Sequence, residues 1–167
     1  MKKNLPRLLV TFTASCFTLA LFCLNATAAE SGNFTLHDMN GKQHKLSDYK
    51  GKWVLVNYWA TWCPPCLEEV PDLVTLHDTR KNKDLVVIGV VQDYQNTKEV
   101  TEYVDDMLMS YPIVLGNESV TKQIGTAEVL PTTFIYNPQG KLVKTKRGLI
   151  TKQYIEKLIE QNGKPSF

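Results

Sequence analysis

Residues 53–71 read WVLVNYWATWCPPCLEEVP. Up to Trp59 the run is apolar except at Asn57, with Gly51 before it and a proline pair after it, the pattern of a central strand buried on both faces. Over residues 65–81 the pattern becomes helical, with Leu67, Val70, Val74 and His77 at three- and four-residue spacing. A strand therefore hands over to a helix across two cysteines, Cys63 and Cys66.

The flanking sequence fits around that unit. Residues 34–36 and 43–46 flank Asp38-Met39-Asn40-Gly41, a hairpin with a glycine-containing turn. Residues 84–91 read as a second central strand, and 98–109 as a helix with Val100, Tyr103, Val104 and Met107 on one face. A short strand is predicted over 112–115 and one or two helical turns over 120–124. Residues 132–136 and 141–145 form a hairpin across Asn137-Pro138-Gln139-Gly140, whose composition suits a type I turn. The last helix, 151–162, has Thr151 as its cap and Tyr154, Ile155, Leu158 and Ile159 facing inward. One α/β domain with a parallel core and antiparallel hairpins at its edges is expected.

The first thirty residues read differently. Lys2, Lys3 and Arg7 precede a 17-residue run, 8–24, that is apolar apart from Ser and Thr, and Asn25-Ala26-Thr27-Ala28-Ala29 follows. That order is an export signal cut after Ala28, so that 1–28 is signal peptide and 29–167 the domain. An uncleaved anchor is the alternative, the run lying at the short end of what spans a bilayer. Cleavage leaves 139 residues with 16 basic against 17 acidic side chains. With that balance no nucleic-acid surface is indicated, and no stable membrane insertion after cleavage. The cluster Lys141, Lys144, Lys146 and Arg147 reads as a solvated strand face.

Cleavage also removes Cys16 and Cys23, leaving Cys63 and Cys66 in an oxidising compartment. A structural staple draws its stabilisation from closing a long loop, and this pair closes almost none. A closed zinc site needs four ligands. His37, His44 and His77 lack ligand-like spacing, so no metal is assigned, although a copper site using both cysteines and one histidine stays open. Thiol–disulfide exchange fits the placement better. Cys63 ends a strand just before a helix, where unpaired N–H groups and the helix dipole stabilise a thiolate. Cys66, one turn on, is placed to resolve a mixed disulfide formed on Cys63. Pro64 and Pro65 stiffen the loop and add no charge, which predicts a moderate pKa depression and a comparatively reducing couple.

Three groups of residues carry a resemblance beyond chemistry: the run 56–66, Glu69 with Pro71, and Leu130-Pro131-Thr132-Thr133-Phe134. On these the chain resembles the thioredoxin superfamily, and within it the exported TlpA/ResA-like thiol-disulfide oxidoreductases, over about residues 34–162. The resemblance implies a thioredoxin-like three-layer α/β fold, a central mixed β-sheet flanked by helices with an N-terminal β-hairpin. It implies a cis-proline, Pro131, facing the redox pair, with Leu130 offering its backbone to an extended client. Asn57 stands where thioredoxin carries a buried Asp, so the proton-handling role passes to Glu69, while Glu68 is a solvated neighbour. Trp59 and Trp62 are expected to shield the sulfur or offer a partner an apolar surface; core packing is the alternative for each. Pro71 is expected to kink the helix, and Val129, where glycine is frequent, to reshape the client groove.

The activity so implied is that of a protein-disulfide oxidoreductase without a cofactor, in the periplasm or otherwise outside the bacterial cytoplasm. Its partners would be protein disulfides, such as those of apocytochrome c or copper-site assembly proteins, and a membrane thiol-disulfide electron donor. A net oxidant or isomerase, a copper-binding module and a thiol peroxidase are the alternatives.

Overall fold

A computed structural model describes residues 33–163 of the chain. The signal-like segment, its expected cleavage point, Cys16 and Cys23 lie outside these residues. Strands β1 (Thr35–His37) and β2 (Gln43–Lys45) form the N-terminal hairpin. Asp38 Oδ1 closes its turn by accepting from the N–H groups of Asn40 and Lys42. A 3-10 turn, Leu46–Tyr49, follows; the sequence pattern puts Leu46 in the hairpin strand and gives residues 47–49 no element.

The main sheet has the order β5-β4-β3-β6-β7. Strands β3 (Trp53–Trp59), β4 (Leu85–Val91) and β5 (Ile113–Leu115) are parallel, and β6 (Thr132–Tyr136) and β7 (Leu142–Arg147) continue antiparallel from β3. Every residue of β3 and β4 is buried, as expected of strands covered on both faces.

Because side chains alternate along a strand, the sheet divides the interior into two cores. On one face Trp53, Leu55 and Trp59 of β3 meet Val70, Leu73 and Leu76 of helix α1 (Pro64–Arg80), Val100 of α2 (Thr97–Asp106) and Ile155 of α4 (Lys152–Gly163). On the other, Val54, Val56 and Tyr58 pack with Phe34 and Leu36 of the hairpin segment and with Val120 and Ile124 of α3 (Glu118–Ile124). This is the expected three-layer mixed α/β arrangement. Asn57 falls on the α1 side, in step with Leu55 and Trp59.

Two details differ from the sequence pattern. The face that α1 turns to the sheet is Cys66, Glu69, Val70, Leu73, Leu76 and His77, while Leu67 and Val74 are half-buried on its flank. A count of apolar residues rotates the face because it discards Glu69, the polar residue that is buried most deeply on it. Helix α2 ends at Asp106 rather than near 109, because Leu108 takes a left-handed backbone, φ 51°. Boundaries elsewhere shift by one or two residues, and Thr151 Oγ1 accepts from the Tyr154 N–H at the start of α4 as a cap should.

Candidate active site

The end of β3 and the start of α1 build the site. Cys63 is the N-cap of α1, with extended backbone (φ −96°, ψ 100°), and is joined to Cys66 by a disulfide with Cα atoms 5.3 Å apart. Pro64 and Pro65 occupy the first two helical positions, so neither supplies an N–H. An N-cap side chain ordinarily accepts from the second or third helical N–H. Here only the third, that of Cys66, exists, and it already donates to the Cys63 carbonyl at 3.0 Å. The helix dipole acts on a Cys63 thiolate with little direct hydrogen bonding behind it. Both cysteines are nearly covered in the disulfide form.

One turn beyond Cys66, Glu69 is 1% exposed. Its Oε1 accepts from Asn57 Nδ2 at 2.7 Å and its Oε2 from the Ile150 N–H at 2.8 Å. The second hydrogen of the Asn57 amide goes to Thr133 Oγ1 on β6 at 3.1 Å. Burial pushes the Glu69 pKa up to about 7, against the opposing pull of the Ile150 N–H, the Asn57 amide and the Lys146 charge. Asn57 of β3 thus orients the carboxyl group that α1 carries one turn beyond Cys66.

The Leu130–Pro131 peptide bond is cis, at the entry to β6. Tyr58 pairs with Thr132 in the antiparallel register, so Pro131 lies across from the end of β3, where the chain leaves for Cys63. Leu130 is half-buried against the core cluster that includes both cysteines, and Val129 is exposed. The Pro131 carbonyl accepts from the Gly148 N–H at 2.8 Å.

The two tryptophans have different surroundings. Trp62 is 60% exposed, whereas Trp59 is 1% exposed and stacks on Tyr103 with ring centroids 5.4 Å apart. Trp59 is therefore core, and only Trp62 has surface to offer a partner. Helix α1 continues through Pro71 without a break.

No histidine joins the sulfurs. His77 lies eleven residues after Cys66 on the same helix, roughly 16 Å along its axis, and its Nδ1 accepts from the Val87 N–H at 3.1 Å. Strand β5 pairs only with Gly89 to Val91, so the ring supplies an acceptor that the sheet edge lacks at Val87. Burial holds the His77 pKa down to about 4. His44 is bound between Asp38 and Tyr49, and His37 faces Gln43. Among the described residues no three His, Cys, Asp or Glu side chains gather as a metal site.

Sequence reasoning did not find the bonds of Asn57, Thr133 and the Ile150 N–H to this site. Part of the signal was present: the two-residue period of β3 puts Asn57 on the α1 face, and Glu69 follows Cys66 by three residues. The Ile150 N–H, 81 positions from Glu69, leaves no mark in the sequence.

Residues 27–145 match the model of the AhpC/TSA family. The chain is 35% identical over 157 residues to the thiol-disulfide oxidoreductase ResA of Bacillus subtilis (strain 168), covering 89% of this chain and 85% of that protein. Among solved structures it is similar to the pneumococcal exposed lipoprotein thioredoxin Etrx1 of Streptococcus pneumoniae, with a TM-score of 0.66 at 29% identity over 77% of this chain and 98% of that one. It is also similar to StoA of Bacillus subtilis, with a TM-score of 0.64 at 25% identity over 75% and 94%.

Proposed function

The chain belongs to the AhpC/TSA family and stands with the ResA-like thiol-disulfide oxidoreductases, and on that premise we propose that its Cys63/Cys66 pair reduces disulfides in client proteins outside the cytoplasm. The observation that carries this reading is the pair at the N-terminus of α1 with a buried, hydrogen-bonded carboxyl group one turn further on.

In the reaction, the Cys63 thiolate attacks one sulfur of a client disulfide. That S–S bond breaks, a mixed disulfide forms on Cys63, and the first client thiolate leaves and takes up a proton. The Cys66 thiol gives its proton to the Glu69 carboxylate and attacks the Cys63 sulfur, expelling the second client thiolate. Two electrons have passed to the client and the pair is oxidised. A dithiol of a membrane electron carrier restores it by the same exchange in reverse.

Within this reading Trp62, Leu130 and Pro131 form the client surface: Trp62 by its exposed indole, Leu130 by its backbone beside the cis bond. Apocytochrome c before haem attachment and copper-site assembly proteins are the client classes proposed. The signal-like N-terminus and the kinship with an exposed lipoprotein thioredoxin support an extracytoplasmic location. No helix among the described residues is long and apolar enough to cross a membrane.

Cys66→Ser removes the resolving thiol and should leave Cys63 joined to its client in cells, to be identified by mass. A trap that returns no disulfide-linked partner from the extracytoplasmic fraction overturns the reading.

A further inference from the structure

The loop between β3 and α1 carries both the attacking cysteine and the exposed Trp62, and it has few ties of its own. Pro64 and Pro65 have no N–H to donate. Within residues 60–65 the backbone supplies one turn, the Cys63 N–H to the Ala60 carbonyl at 3.2 Å. The Trp62 ring is largely in solvent. Among the described residues, Thr61 is the one side chain of this segment that makes a hydrogen bond: its hydroxyl donates to Glu99 Oε1 on α2 at 2.6 Å.

Glu99 is itself fixed. Its Oε2 accepts from the Gln95 N–H at 3.0 Å, and its own N–H donates to the Asn96 side chain that caps α2, also at 3.0 Å. Beside this tie the Gln92 N–H donates to the Trp59 carbonyl at 2.8 Å. The segment that follows β4 therefore holds the active-site loop at two points, and the Thr61 bond is the one nearer Cys63 along the chain. A hydroxyl donating to a carboxylate is among the stronger side-chain hydrogen bonds.

When the pair is reduced, the Cys63–Cys66 bond no longer ties the loop to α1. We infer that Glu99, acting through Thr61, is a positioning residue that keeps Trp62 and Cys63 in place for a client while the disulfide is open. This rests on the reductase reading, and it gives α2, which holds none of the reacting atoms, a part in client capture.

The full chain, reduced, is reacted in single turnover with a synthetic peptide closed by one disulfide. Thr61→Val should raise the half-saturating peptide concentration roughly three- to tenfold, the worth of one hydrogen bond, with the limiting rate within about twofold of the parent by the same reasoning. Thr61→Ser should restore it, and Thr61→Val with Glu99→Ala should be no worse than Thr61→Val alone, since both remove one interaction. Hydrogen exchange at the Cys63 amide of the reduced protein, which needs no client, should quicken in Thr61→Val and return to the parent rate in Thr61→Ser. Unchanged half-saturation and unchanged exchange in Thr61→Val, no rescue by serine, or additive losses in the double variant overturn the latch. A parent protein that fails to reduce the peptide, while exchange still quickens in Thr61→Val, overturns the reductase reading and leaves the tether standing.

Discussion

Glu69 is buried at the contact between α1 and the sheet, yet it is ionisable close to neutral pH because two N–H donors offset part of the cost of burying its charge. A carboxyl group with a pKa of about 7 is suited to taking a proton from a thiol and giving it back. The rate at which Cys66 resolves a mixed disulfide should therefore rise with pH through about 7 as Glu69 becomes the base. Glu69→Gln keeps an oxygen acceptor and abolishes that limb, slowing resolution at pH 7.5 by roughly a hundredfold or more; rapid-quench measurement of mixed-disulfide decay across pH 5–9 checks it. A pH profile unchanged in the variant would remove Glu69 from the chemistry. The cysteine pair can be read locally, from its spacing at the start of a helix, whereas the part given to Glu69 comes from the family resemblance and not from spacing. The Thr61–Glu99 bond spans 38 positions and depends on where β4 delivers α2, so sequence spacing could not announce it.

The start of α1 decides how readily Cys63 ionises. A helix N-terminus usually offers an anion several N–H groups, but Pro64 and Pro65 withhold the first two. Pro65→Ala puts an N–H at the second helical position, one of the two from which a cap side chain accepts. The Cys63 pKa should then fall by on the order of one unit, and the couple should become more oxidising, with thiolate absorbance near 240 nm as the readout. An unchanged titration would show that the dipole alone sets the acidity. Elements were legible where periodicity was strong: β3, β4, β6 and the inward face of α4 lie where the pattern puts them. The 3-10 turn at Leu46–Tyr49 and the early end of α2 were not, the first being too short for a period and the second set by one left-handed residue.

Across the whole molecule two buried ionisable groups act on stability in opposite directions. The His77 pKa lies at about 4 when folded against 6.5 as the ordinary value, so the unfolded chain binds more protons between those values and stability rises with pH there. The Glu69 pKa lies at about 7 against 4.5, so the folded chain binds more protons and stability falls as pH rises from 4.5 through 7. Between pH 4.5 and 6.5 the two effects nearly cancel. Relative to the parent, Glu69→Gln should gain stability with rising pH across this window, and His77→Gln should lose it, each with a slope of up to about 1.4 kcal/mol per pH unit. Urea unfolding at several pH values checks both, and parallel curves for parent and variants would show that neither group titrates as described.

The layered α/β architecture was legible because strand and helix periods alternate along the chain. The coupling of His77 to Val87 and of Glu69 to Ile150 was not, being a property of how the layers meet. In the proposed reaction a weakly activated Cys63, backed by Glu69, makes the pair a reductant. Equilibration of the Cys63/Cys66 couple with glutathione, read by the fraction of protein thiol remaining, tests it most directly. A potential more negative than about −200 mV, toward the thioredoxin end of the scale, is the result predicted. A value near about −120 mV, that of a dedicated disulfide donor, would contradict it.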